Sequence, residues 1–218
     1  MKIIHIIPSA FEYFNSIRTL AFEVVEQQNQ IGESVDAITL QYGTTSKRLK
    51  KEVKKSSVSR KFLGTMPAGQ VIKNLDKYDV VHLHTPFLGG AHDIVKWAKN
   101  RRQTLFVITY YYDFKDEDFI GKIIKWYNNY YLPKMFGFSN RIFVFGIEEF
   151  IKTKMFKKLP IHAKVLPILP DRFEKKDELF HLTLDGEEVI LNHQELYSFI
   201  AYNYLEVYNF LKQTVKNK

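Results

Sequence analysis

The chain has 218 residues, 45% hydrophobic and 15% aromatic, enough for one large domain or one domain with an appendage. With no cysteine, a disulfide framework and a thiolate metal site are excluded. The net charge is +8, but the run Lys47–Lys61 alone carries eight basic residues against Glu52, so the basicity is one local patch and the rest of the chain is near neutral.

No apolar run reaches the roughly 18–20 residues that cross a bilayer. The opening MKIIHIIPSAF is too short and too poor in basic residues for a secretory signal. A soluble, cytoplasmic protein is expected, with peripheral membrane contact through the basic run as an added reading.

Lys2–Ile7 reads as a first strand, broken by Pro8-Ser9-Ala10. A helix from about Ser16 follows, with Ile17, Leu20, Ala21, Val24 and Val25 at helical spacing, and Gly32 ends it. Ser34–Leu40 is a second strand, and this strand–helix–strand start favours a parallel sheet. No glycine precedes Gly32, so the G-x-G-x-x-G dinucleotide fingerprint is absent.

Gly43–Arg60 reads as a polar loop or a short exposed helix. Its solvated-face reading stands beside attraction to phosphate through Lys47, Arg48, Lys50, Lys51, Lys54 and Lys55. Leu49 and Val53 give it a weak apolar stripe that favours a membrane surface. No aromatic residue interleaves the charges for base stacking, which disfavours nucleic acid.

Lys61–Leu63 suggests an edge strand and Ala68–Leu75 a brief helix. Then comes the stretch that organises the chain, YDVVHLHTPFLGGAHDIVKWAKN from Tyr78 to Asn100: a buried strand with a polar tip, a Gly89-Gly90 break and a crossover helix. Thr104–Thr109 is the next buried strand, running into Tyr110-Tyr111-Tyr112-Asp113. Phe119–Phe136 reads as one long aromatic-rich helix, Arg141–Phe145 as a strand, Ile147–Met155 as a helix and Lys164–Pro167 as a last strand.

The expected architecture is therefore α/β: a single Rossmann-like parallel sheet with helices on both faces, spanning residues 1–170. Residues 171–218 form a linker and a C-terminal helix. Asp185-Gly186 is a strong turn pair, so Phe180–Leu191 reads as a hairpin, with the approach to the last helix as the other reading. From Glu195 to Val215 the apolar positions Leu196, Phe199, Ile200, Tyr204, Val207, Tyr208, Leu211 and Val215 make a long amphipathic helix that must dock on the sheet or on a second copy.

Ligands of open parallel sheets sit beyond the carboxyl ends of the strands. The candidate substrate-binding residues are accordingly Ser9, Glu12, His82, His84, Thr85, Thr109, Tyr111 and Asp113. His82 and His84 lie two apart on one strand and face the same way. His84 and Asp113 are the candidates for acid–base work, against the blander reading of buried, hydrogen-bonded strand histidines. No third ligand accompanies them, so no metal is assigned. Tyr111 titrates too high to serve as a base at neutral pH and is read as a binding residue. The aromatic series Phe119–Tyr131 is read as core, with a sugar-stacking platform as the lesser reading.

The series DVVHLHTP, TLFVIT followed by Tyr110-Tyr111, SNRIFVF and KVLPI-LPDRF resembles, in order and spacing over Met1–Phe173, the amino-terminal half of family 4 retaining glycosyltransferases of the GT-B fold. YSFIAYNYLEVYNFL, Tyr197–Leu211, resembles that family's closing helix. The resemblance implies an acceptor-side domain without the donor-binding domain and without that domain's two glutamates and basic residue. The family's two glycines after the first strand are replaced here by Ala10-Phe11-Glu12, its histidine two residues after Thr109 by Tyr111, and its Pro-Asn-Gly by Pro167-Ile168-Leu169.

Two readings follow. In one, a reduced glycosyltransferase transfers, or helps transfer, a sugar from a nucleotide-sugar to a glycan, lipid or protein acceptor; the nucleotide-sugar is a substrate and no cofactor is implied. Its donor site would come from a partner protein or from a homodimer through Tyr197–Val215. In the other, the chain is a non-catalytic module that binds a glycan, a membrane surface or a partner glycosyltransferase.

Overall fold

The computed structural model describes residues 1–8, 15–39, 72–87, 90–111, 119–153, 156–158, 165–170 and 173–216. In chain order the elements are β1 (Lys2–Ile7), α1 (Asn15–Gln30), β2 (Ser34–Thr39), β3 (Val80–Thr85), α2 (Ala91–Asn100), β4 (Leu105–Tyr110), α3 (Phe119–Tyr130), α4 (Leu132–Phe138), β5 (Arg141–Val144), α5 (Ile147–Lys152), β6 (Val165–Pro167), β7 (Phe173–Lys176), β8 (Leu179–Leu184), β9 (Glu187–Leu191) and α6 (His193–Lys216). A 3-10 helix over Ile72–Lys77 stands where a brief helix ending at Leu75 is expected. The expected edge strand Lys61–Leu63 lies outside the described residues.

The first six strands form one parallel sheet in the order β2-β1-β3-β4-β5-β6. This is the α/β architecture expected. Its central strands are apolar runs because helices cover both faces. Alternate residues divide between two cores. Ile4, Ile6, Val81, Leu83, Phe106, Ile108 and Ile142 meet Ile94, Trp97 and Ala98 of α2, Tyr127 of α3, and Leu132, Met135 and Phe136 of α4. Ile3, Ile7, Val35, Val80, Val107 and Phe143 meet Ala21, Val24 and Val25 of α1 and Ile200, Tyr204, Tyr208 and Leu211 of α6.

The apolar face of α6 thus docks on the chain's own sheet. Its first turn carries a capping box: Glu195 N–H donates to Asn192 Oδ1 at 3.0 Å, and Asn192 N–H donates to Glu195 Oε2 at 2.8 Å. Along its length Ser198 donates to Gln27 Oε1 (2.7 Å), Asn203 to the Ile168 carbonyl (3.1 Å), and Lys212 pairs with Asp79 (3.0 Å).

The single helix expected over Phe119–Phe136 is two helices, broken at Tyr131. Pro133 lies in the first turn of α4, where it can donate no hydrogen bond back and its ring would crowd the carbonyl four residues earlier. α5 stops at Lys152, short of Met155, because Thr153 turns back on it: its N–H and Oγ1 both donate to the Phe150 carbonyl, at 3.0 and 2.7 Å.

The Asp185-Gly186 hairpin forms, and β7 extends it to a three-stranded antiparallel sheet whose Phe180 and Leu182 join the α1–α6 core. Asp185 (φ 51°) and Gly186 (φ 90°) are both left-handed, as a two-residue primed turn requires. The β7–β8 turn is built the same way, but from Asp177 (φ 46°) and Glu178 (φ 65°), neither of which is a glycine.

A left-handed non-glycine residue costs about 1 kcal/mol. The contacts of Glu178 with Lys175 (3.3 Å) and His193 (3.8 Å) are exposed and add little. Glu178→Gly is therefore expected to raise the melting temperature by about 2–4 °C, read by thermal unfolding. A fall would show that these contacts outweigh the backbone strain.

Candidate functional site

The connection leaves β1 for β2 on one side and returns to β3 on the other, so the strand order reverses at β1. In open parallel sheets that reversal opens a crevice at the carboxyl ends of the strands. Beneath this edge the register sets His5 of β1 beside His82 of β3, and His84 beside Thr109 of β4. All four point to the face covered by α1 and α6, and all four are fully buried.

The three imidazoles pack against one another. The His82 and His84 rings stack at 4.5 Å and 17°, and His5 lies 4.7 and 5.1 Å from them. His5 Nε2 faces Gln28 Oε1 of α1 at 3.0 Å, so that nitrogen carries the proton. His5 Nδ1 is then an acceptor, and His84 Nε2–H donates to it at 2.8 Å. This leaves His84 Nδ1 to accept from the Tyr111 hydroxyl at 2.7 Å. The result is a directed chain from Tyr111 through His84 and His5 to Gln28.

His82 belongs to a second set. Its Nε2 pairs with Thr109 Oγ1 at 2.7 Å, its Nδ1 with the Tyr208 hydroxyl, and Thr109 Oγ1 in turn with the Tyr204 hydroxyl at 2.8 Å. Tyr204 and Tyr208 come from α6, one turn apart, so the C-terminal helix closes the layer with hydroxyl groups where an apolar side chain would leave imidazole nitrogens unpaired.

Burial dominates the electrostatics. It pushes the pKa of His5 down to about 3, an effect that the hydrogen bond to Gln28 partly offsets. Burial likewise holds His82 and His84 well below the usual histidine range, reinforced by the neighbouring imidazoles. It also raises the hydroxyls of Tyr204 and Tyr208. The layer is neutral at pH 7.

His5 supplies the third imidazole that sequence reading found wanting, and ligand atoms of His5, His82 and His84 lie within 4.8 Å of one another. All six ring nitrogens, however, are engaged in the hydrogen bonds above, and the rings stack face to face. A metal ion would have to break that pairing. The arrangement is a hydrogen-bonded layer in which every imidazole nitrogen is engaged and only Gln28 Nε2 lacks a partner among the described residues, so it offers no open set of ligands.

Of the residues singled out from sequence, His82, His84, Thr109 and Tyr111 come together here. Thr85 is buried next to them, its Oγ1 donating to the Thr109 carbonyl at 3.1 Å. Tyr111 is the member of the group with some exposure, at the carboxyl end of β4 and packed beside Phe145. Ser9, Glu12, Asp113, Lys47, Arg48, Lys50, Lys51, Lys54 and Lys55 lie outside the described residues.

Sequence reading missed His5, Gln28 and the polar roles of Tyr204 and Tyr208. A signal existed for two of them. His5 interrupts an apolar strand, and Gln28 continues the Ile17, Ala21, Val24 stripe of α1, so each had to bury a polar group that needs a partner.

No protein-family model matches the chain, and no curated protein sequence does. Solved structures of an alpha-glucosyltransferase do match in fold. One, in complex with UDP and a 13-mer DNA containing an HMU base, superposes with a TM-score of 0.56 at 12% identity, covering 81% of this chain and 47% of the other. Another structure of that complex, at 1.9 Å, gives 0.54 at 12% identity, covering 76% and 42%. A third, with UDP-glucose and DNA containing an abasic site, gives 0.50 at 13% identity, covering 78% and 43%. The chain thus has a glycosyltransferase-like α/β fold of the GT-B kind and spans less than half the length of these alpha-glucosyltransferase chains.

The buried histidines make stability depend on acidity. Each stays neutral when folded, its pKa depressed, and takes up a proton near pH 6.5 when unfolded. Above that pH the three contribute no pH dependence. Below it the unfolded chain gains protons that the fold refuses, and stability falls by up to about 4 kcal/mol per pH unit. Urea midpoints measured from pH 7.5 to 5 should drop steeply below about 6.5; a flat profile would mean that the layer opens to water.

Proposed function

We propose that this chain is the acceptor-side part of a sugar-transfer system that uses a nucleotide-sugar, with the acceptor lodged beyond the carboxyl ends of β1, β3 and β4. The observation that carries this reading is the Tyr111 hydroxyl, held by His84 Nδ1 (2.7 Å) just past the carboxyl end of β4, with one strand, β3, between it and β1, where the strand order reverses. Because that hydroxyl donates inward, it can meet an incoming hydroxyl group only as an acceptor. Similarity of fold to structures solved with UDP and UDP-glucose supports a uridine-diphosphate donor.

Tyr111 would orient the acceptor and not remove its proton, since a tyrosine is protonated at neutral pH. His84 would act as a positioning residue. Thr85, Thr109 and His82 would support the edge from below, with Ser9, Glu12 and Asp113 proposed as further acceptor contacts. Stabilising the departing diphosphate needs positive charge or helix amino termini. That function is assigned to a second copy of this chain or to a site of this chain's own outside the family's usual donor domain, so nucleotide binding is readable on this chain.

One observation favours the alternative of a binding module without chemistry. His82 and His84 are sealed under α6, so no imidazole reaches a substrate while that helix is docked.

A thermal-shift screen with UDP, UDP-glucose and the GDP-, ADP- and dTDP-sugars separates the two. A ligand at a hundred times its dissociation constant adds about 2.7 kcal/mol. A shift with the uridine compounds is expected, and Tyr111→Phe should leave that shift intact while lowering UDP release in the presence of acceptor by roughly tenfold, one hydrogen bond's worth. No shift with any nucleotide would leave the binding module as the reading.

A further inference from the structure

α3 and α4 cover the face of the sheet opposite the histidine layer. Tyr127, Leu132, Met135 and Phe136 point into the core. On the outer side stand Trp126 and Tyr130, 56% and 50% exposed. Their rings lie nearly parallel, 6.0 Å apart at 6°, and Tyr131 meets both edge-on at 5.1 and 5.0 Å. Lys134 Nζ sits 3.6 Å from the centre of the Tyr130 ring, and Lys122 and Lys125 are exposed on the same pair of helices.

Two large half-exposed rings braced against each other are unusual on a surface that faces only water. The charge around them is one-sided: no Asp or Glu occurs from Phe119 to Ile147. The acids Asp113, Asp116, Glu117 and Asp118 precede the helix, and Trp126 lies two turns beyond the last of them. Amphipathic rings flanked by long lysines, with no acid among them, are the composition that settles at the headgroup level of a bilayer. There the lysines reach anionic headgroups and the rings bury their carbon edges. An acidic protein surface would satisfy the lysines but would not require the exposed indole.

We propose that the outer face of α3 and α4 (Lys122, Lys125, Trp126, Tyr130 and Lys134) rests on an anionic lipid surface. No helix of the described residues is long and apolar enough to cross a membrane, so the contact is peripheral. It is independent of the sugar-transfer reading and of the basic run Lys47–Lys61.

The test is co-sedimentation of the full chain with phosphatidylcholine vesicles, with and without phosphatidylglycerol, while tryptophan emission is recorded. The chain has two tryptophans, and Trp97 is buried with its indole N–H on Asp76 Oδ1 (2.8 Å), so a vesicle-induced blue shift reports Trp126. Binding to the anionic vesicles with a blue shift is expected, and weak binding to the neutral ones. The surface variants Trp126→Ser/Tyr130→Ser and Lys125→Glu/Lys134→Glu should each lose tenfold or more in vesicle affinity with unchanged melting temperature. Wild-type affinity in both variants, equal binding to neutral vesicles, or no binding at all would overturn the proposal. So would a blue shift given by a soluble oligosaccharide and by no vesicle.

Discussion

Three uncharged imidazoles sit between a parallel sheet and its covering helices, and the rest of the molecule is arranged so that none of their nitrogens is left unpaired. A buried polar group without a partner costs about 1–3 kcal/mol, and the layer contains six ring nitrogens at full burial. The pairing partners come from elements far apart in sequence: Gln28 from α1, Thr109 and Tyr111 from β4 and its end, Tyr208 from α6, and Tyr204 through Thr109. Docking of the C-terminal helix is therefore more than apolar burial. It completes a hydrogen-bonded layer that the sheet alone cannot close.

This arrangement bears on the candidate site in a specific way. The histidines are sealed between the sheet and its covering helices, and His84 links them to Tyr111 just past the carboxyl end of β4. A neutral imidazole that accepts from a tyrosine fixes which way the hydroxyl points. The directed chain from Tyr111 to Gln28 ties a hydroxyl just past the end of β4 to side chains of β3, β1 and α1.

The strands were legible in the sequence because parallel strands buried on both faces are short runs such as VVHL and LFVI, bounded by turn residues. The break between α3 and α4 was also written there, in Pro133, but the apolar spacing on both sides hid it. The polar edge could be placed from the ends of β3 and β4. The roles of its histidines could not: a strand shows which face a side chain takes and not what covers that face. His84 reads the same from sequence whether a crevice or a helix lies above it.

The sequence by itself determined the sheet, the order of its helices, and the facing of His82 and His84 to one side, because the alternation of side chains along a strand is local geometry. Only the tertiary structure decided that His5 joins them, that Gln28 and Tyr208 pair with them, and that α6 seals them from water. Those facts depend on strand order and on where a helix docks some 120 residues later in the chain. Burial then set the protonation, for an imidazole enclosed on every side loses the hydration that would stabilise its charge.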